Sequence, residues 1–208
     1  MASRRAVYLV LALLVAVGLT GCYRTVVQVV SAEEALAIPG LAGGYESVYN
    51  HMTEAPERNH LRLEKRPNAN DYVVTMDSES RGNLRFLRLK DDIYLAQMAM
   101  ETLSYSHPSF DIGFVRISGR TIGMLMAVPP GLPMPEGSGR AAFTDWLDSV
   151  RGKLLDTEIG RMAARFDVGV PGRDGGAALE GAGVDVRRFL ESHRNWRFVE
   201  YARFGKLD

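Results

Sequence analysis

The feature that most constrains this chain is a change of hydrophobic period at a proline-rich break. Pro129-Pro130-Gly131-Leu132-Pro133-Met134-Pro135, followed by Gly137-Ser138-Gly139, can continue neither a strand nor a helix. Before it lie short segments rich in branched and aromatic residues that read as strands: Tyr45 to Asn50, Asn59 to Arg66, Asp71 to Asp77, Asn83 to Lys90, Ile93 to Glu101, Phe110 to Ser118 and Arg120 to Val128. Pro67-Asn68-Ala69-Asn70, Ser78 to Gly82 and Asp91-Asp92 supply turns, and Ser118-Gly119 fits a two-residue hairpin loop. Successive antiparallel strands follow.

The alternation slips phase twice. Leu84 and Phe86 give way to Leu87 and Leu89, and Phe110, Ile112 and Phe114 give way to Val115 and Ile117. Each slip predicts a bulge, and bulges bend a sheet, so a strongly curved sheet or partial barrel is expected. Beyond the break, Phe143, Trp146, Leu147, Val150 and Leu154 recur at helical spacing, and Leu155, Ile159, Met162 and Phe166 extend the pattern past Gly152 and Gly160. Val186, Phe189, Leu190 and His193 share another helical face after a glycine-rich stretch, 169–183, and Trp196 to Tyr201 reads as a closing strand. The expected fold class is therefore α+β: a curved, mainly antiparallel sheet of about seven strands with two or three helices packed on one side or end. Residues 38–208 read as one domain, β-rich over 38–128, with a linker at 129–139 and a helical part over 140–208.

The N-terminus carries a separate signal. Arg4 and Arg5 precede an apolar run of 11 residues, Val7 to Val17, and then Gly18-Leu19-Thr20-Gly21-Cys22. That run is about half of the ~20 residues a helix needs to span a bilayer, and the three-part pattern is that of an export signal. Leu19-Thr20-Gly21-Cys22 closely resembles the lipobox of bacterial lipoproteins. The resemblance covers residues 1–22 alone. It implies cleavage of a signal peptide, 1–21, and fatty acylation of Cys22, which would carry two or three chains and hold the protein on a membrane. Tyr23 stands where an Asp often marks retention at the inner membrane, so in an envelope of two membranes the resemblance implies the outer one, facing the periplasm. The alternative is ordinary cleavage after Ala16-Val17-Gly18, leaving a free thiol.

Cys22 is the sole cysteine among 208 residues, so the exported domain forms no internal disulfide in a compartment that permits them. Residues 22–37 read as the lipidated N-terminus and a short lead-in helix, because Ser31-Ala32-Glu33-Glu34 has the spacing of a capping box and Pro39-Gly40 stops the helix. Without its signal the chain has 23 basic and 25 acidic residues, since Arg4 and Arg5 are the only charges removed. Nothing in that balance points to nucleic acid.

Motifs that carry a mechanism are missing: there is no G-x-S-x-G elbow, phosphate loop, H-E-x-x-H or cysteine pair, and no cofactor is implied. Gly169 to Gly176 lacks the lysine of an anion cradle and reads as a loop. His51 and His60, with Glu54 and Glu57 between them, read as a polar hairpin connection rather than a metal site. Met98 and Met100, and Met124 and Met126, fall at period two on strands and read as gap-filling core rather than copper ligands. The candidate ligand pocket is Tyr94, Gln97, Tyr105, His107 and Asp111, around the Ile93 to Ser118 hairpin, where polar groups mix with aromatics. Ordinary cross-strand packing explains the same residues.

The expected activity is that of a non-enzymatic binding or structural module in the envelope, meeting a protein, a polymer or a lipid. A carrier of a small apolar ligand is the alternative, and a hydrolase would need convergent carboxylates or histidines. Metabolic labelling with a fatty-acid analogue should mark the wild type and fail for Cys22→Ser; labelling that survives the substitution overturns the anchor.

Overall fold

The computed structural model describes residues 23–25, 28–51, 59–76, 80–100, 110–156, 187–188 and 190–208. Residues 1–22, the stretch read above as an export signal and lipobox, lie outside them. The strands are β1 (Tyr23–Thr25), β2 (Gly43–Asn50), β3 (His60–Lys65), β4 (Tyr72–Met76), β5 (Ser80–Lys90), β6 (Ile93–Met100), β7 (Phe110–Ser118), β8 (Thr121–Val128) and β9 (Arg197–Lys206).

Turn chemistry sets the connections at one end. Asn68 and Asp91 take positive φ of 59° and 39°, and Gly119 takes 56°. Asn, Asp and Gly tolerate that region best. The β7–β8 loop is Gly119-Arg120, one residue later than the sequence suggested, because Ser118 pairs with Thr121.

From β2 to β9 each strand pairs antiparallel with the next, and β9 pairs with both β8 and β2. The result is a closed antiparallel barrel of eight strands. This corrects the expected α+β class. The stretch expected as a short closing strand is ten residues long and hydrogen-bonds on both sides, which turns a curved sheet into a ring. Among the described residues there is one long α-helix, α1 (Arg140–Asp156), rather than two or three packed on a sheet. Residues 187–188 and 190–192 are also helical and run into a 3-10 turn, His193–Asn195. The pattern at Ile159, Met162 and Phe166 falls outside the described residues. The expected lead-in helix is a single turn. Ser31 and Glu34 do form the capping box, Oγ to Glu34 N at 3.3 Å and Ser31 N to the Glu34 carboxylate at 3.4 Å, but Pro39 follows too soon for more.

Neither phase slip is a bulge where it was expected. On β5, Leu84 and Phe86 face the barrel interior, while Leu87 and Leu89 join a second apolar cluster outside it. On β7, Val115 and Ile117 face in, and Ile112 and Phe114 face out. The β6–β7 register is continuous, and the β5–β6 register shifts only between Arg88 and Lys90. Both faces of these strands are buried, so an apolar residue is tolerated at every position.

Two segments cover that outer wall. The N-terminal strap, 28–42, brings Val29 onto Leu95, Ile112 and Leu125, and the helical turn before β9 adds Leu190 and Trp196. Phe114 stacks on His193 at 5.2 Å. Arg187 joins the two covers by donating to both Glu34 oxygens at 2.6 and 2.8 Å. On the uncovered wall the alternation is ordinary, with Arg62 and Glu64 exposed beside buried Leu63. On that wall the apolar residues face in and the charges face out.

One side-chain amide brackets the start of the strap. Gln97 Oε1 accepts from Val29 N at 2.5 Å and Val30 N at 2.8 Å, and its Nε2 donates to Val30 O at 3.3 Å. Gln97→Ala leaves two buried N–H groups without an acceptor and should lower unfolding free energy by about 3 kcal/mol, read by urea denaturation, with amide exchange accelerating first at Val29 and Val30. A change under about 0.5 kcal/mol would show that the strap is held elsewhere.

Candidate functional site

The two ends of the barrel are built differently. At the end with tight turns, Tyr45, Leu63, Tyr72, Phe86 and Tyr94 fill the interior. Tyr72 packs edge-on against Phe86 at 5.7 Å, and Phe86 against Tyr94 at 6.4 Å. The buried phenols end on strap backbone: Tyr45 donates to Leu41 O at 2.6 Å, and Tyr72 bonds Ile38 N at 2.7 Å. Burial raises the pKa of both tyrosines. Lys206 closes over them, its ammonium 5.9 Å from the Tyr45 ring and bonded to Gly40 O and Ala42 O at 2.6 and 2.7 Å. This end is sealed.

At the other end the longer connections begin. Here α1 covers only part of the inner wall. Its Phe143, Trp146 and Val150 bury Met126 and Val128 of β8 and Val199 and Ala202 of β9. The proline-rich segment is the other half of that seat: Trp146 Nε1 donates to Pro133 O at 2.8 Å, and Leu132 and Met134 pack on the same cluster. Across the barrel, burial falls toward the same end, from Leu63 to Leu61 on β3, Val74 to Met76 on β4, Phe86 to Leu84 on β5 and Ala96 to Met98 on β6. Asp111 of β7 pairs with Met98 and is half-buried beside it. Among the described residues the result is a half-buried apolar crescent with the Asp111 carboxylate at its margin.

The expected pocket does not form as a unit. Tyr94 faces the interior, whereas Gln97 lies on the outer face and holds the strap, because an even and an odd position of one strand point oppositely. Tyr105 and His107 lie outside the described residues. Asp111 alone reaches the crescent. Sequence reasoning gave Met98 to the core but did not single out Met76 or Leu61, and it missed the grouping of the three at one end, which depends on strand register. Met98 and Met124 both line the interior, and Met126 faces α1. Glu54 and Glu57 lie outside the described residues, and among the described residues no three His, Cys, Asp or Glu side chains gather as a metal site.

A polar network on the outer wall ties the closure together. Glu200 of β9 accepts from Tyr49 Oη and Arg203 Nε, each at 2.6 Å, and lies 3.7 Å from Arg116, which also meets Asp92 at 3.4 Å. Glu200 packs over Gly123, where a Cβ would come within 2.6 Å of its carboxyl carbon. Tyr49 stacks on His51 at 4.6 Å, and His51 reaches Phe143 of α1 at 5.9 Å. Burial, with Arg140 nearby, lowers the pKa of His51. This carboxylate, met by a phenol and two guanidiniums, ties β9 to β2 and β7. A second recess, of about 230 Å³, lies outside the barrel between Pro133, Met134 and Glu136 and the Ala142, Asp145 and Ser149 side of α1. It is open and mixed in polarity.

No family model, curated protein or solved structure matches this chain.

Burial and then the adjacent Glu200 push Tyr49 up to about 12. The folded state thus keeps a proton that the unfolded chain releases near pH 10, so this stabilisation is intact below about pH 10 and is lost as pH rises toward 12. Tyr49→Phe should flatten the fall in stability across that window, measured by urea midpoints at stepped pH. An unchanged alkaline slope would show that Tyr49 titrates as an ordinary phenol.

Proposed function

We propose that the protein is a lipid-anchored envelope binding module that holds an apolar ligand against the half-buried crescent of its barrel. A β-barrel of this size suits a binding or carrier module. The observation that carries the reading is the asymmetry of the inner wall: α1 buries the β8–β9 side, while Leu61, Met76, Leu84 and Met98 on β3 to β6 remain half-buried at the same end. Methionine suits such a lining because its unbranched thioether side chain adapts to ligands of different shape. The sealed opposite end makes the site a cup rather than a channel.

Closure bears on the kind of partner. A ring of paired strands offers no free edge along β2 to β9, so a partner protein adding a strand there has no support. The anchor on Cys22 and the envelope location rest on the lipobox resemblance, and the outer membrane facing the periplasm is the placement that Tyr23 favours.

A naphthylamine probe that brightens in apolar surroundings should bind the acylated protein. Filling the cup with Leu61→Trp or Met98→Trp should weaken that binding at least about tenfold while the melting transition stays cooperative. Native mass spectrometry of protein taken from its own cells should show bound apolar mass. Unaltered probe binding in both variants, together with ligand-free protein, overturns the proposal.

A further inference from the structure

We infer that the arginine-bearing segment Arg187 to Arg197 lies against anionic phospholipid headgroups of the membrane in which Cys22 is anchored. The inference rests on the proposed acylation and adds which face of the barrel meets the bilayer. Cys22 directly precedes β1, and β1 is paired with β7, Tyr23 opposite Ile112. One peptide step of ~3.8 Å therefore separates the acylated residue from a hydrogen-bonded ladder, with no length of free tether between them.

Val29 and Val30 are held by Gln97, so the described residues on either side of 26–27 are bound to the barrel wall. Whatever covers this wall is carried to the membrane with the anchor. Ile112 belongs to the apolar cluster over which Leu190 sits, which places the helical turn and the root of the anchor on one side of the barrel.

That cover is basic. Residues 187–197 contain Arg187, Arg188, Arg194 and Arg197 against Glu191 alone. Arg187 engages Glu191 at 2.9 Å and Glu34 at 2.6 Å. Arg188, Arg194 and Arg197 are exposed. On the opposite wall β3 carries Arg62 and Lys65 against Glu64, which pairs with Arg62 at 2.7 Å, so its basic excess is smaller. An acyl anchor joined to a basic surface is a pairing that anionic headgroups favour.

The test uses the acylated full-length protein in nanodiscs whose headgroups carry a paramagnetic label. Nitrogen-15-free fluorine tags are placed at Asn195→Cys, on the basic face, or at Glu64→Cys, on the far wall. In phosphatidylglycerol-rich discs, broadening should be at least about threefold stronger at position 195 than at 64. That preference should shrink in phosphatidylcholine discs and in Arg188→Gln/Arg194→Gln, whose melting transition reports that the fold survives. Equal broadening at the two positions in acidic discs, or more at 64, overturns the inference. A preference that persists undiminished without anionic lipid and without the two arginines overturns the headgroup contact. Intact mass separates the two levels: protein without acyl groups removes the anchor and this inference with it, whereas acylated protein with equal broadening removes the inference alone.

Discussion

Closure by β9 is the interaction on which the rest of this structure depends. Its ten residues pair with β2 on one side and β8 on the other, so every strand from β2 to β9 has a neighbour on both edges. A ring of this size leaves an interior that side chains can fill, and the alternation along each strand then separates inside from outside. The adjustments that allow closure are local. The β2–β9 register shifts between Ser47 and Tyr49, and the β8–β9 register between Met124 and Leu125. Such shifts increase twist where the ring must meet itself. Glu200, beside the second shift, draws Tyr49, Arg116 and Arg203 onto the junction, so the polar network and the backbone irregularity occupy one place.

A barrel with an apolar interior would leave the outer faces of β5 to β8 polar, yet Leu89, Leu95, Ile112, Phe114 and Leu125 lie there. They are compatible with water only because the strap and the segment before β9 bury them. The two covers come from opposite ends of the chain and meet at the Arg187–Glu34 pair. That pair is partly exposed, so its own energetic weight is small. The stabilisation resides in the apolar contacts beneath it and in the Gln97 bracket, which satisfies strap backbone that would otherwise be buried without partners.

The same covers explain the division of labour between the ends. Strap residues 38–42 cross the tight-turn end and take the hydrogen bonds of Tyr45 and Tyr72, which lets large aromatics fill the interior there. At the other end the proline-rich segment cannot extend β8, turns back, and seats α1 through Trp146. One helix is too narrow to bury the whole ring, so the β3–β6 side keeps its half-buried apolar side chains. Among the described residues this contrast between the two sides is what the proposed apolar site rests on, and it comes from register and packing rather than from a sequence motif.

The sequence by itself determined what depends on neighbours along the chain. Strand positions follow from period two and turn residues, so Tyr72–Met76 and Ile93–Met100 lie where the pattern put them, and Pro129 to Pro135 ends β8 before α1 begins. The Ser31–Glu34 box was legible for the same reason, as both partners sit within one turn. The tertiary structure decided what depends on distant residues. Whether Trp196 to Tyr201 would add an edge strand or close a ring depends on β2, some 150 positions earlier, and no local pattern encodes that pairing. The phase slips at Phe86-Leu87 and Phe114-Val115 were visible, but their cause was not. A bulge and a strand buried on both faces write the same pattern, and only the strap and the Leu190 turn, folded back over the wall, distinguish them. For the candidate site, Asp111 was legible as a polar residue on an apolar strand. Tyr94 and Gln97 were separated, and Leu61, Met76, Leu84 and Met98 assembled, by strand parity and register, which exist only once the ring has closed.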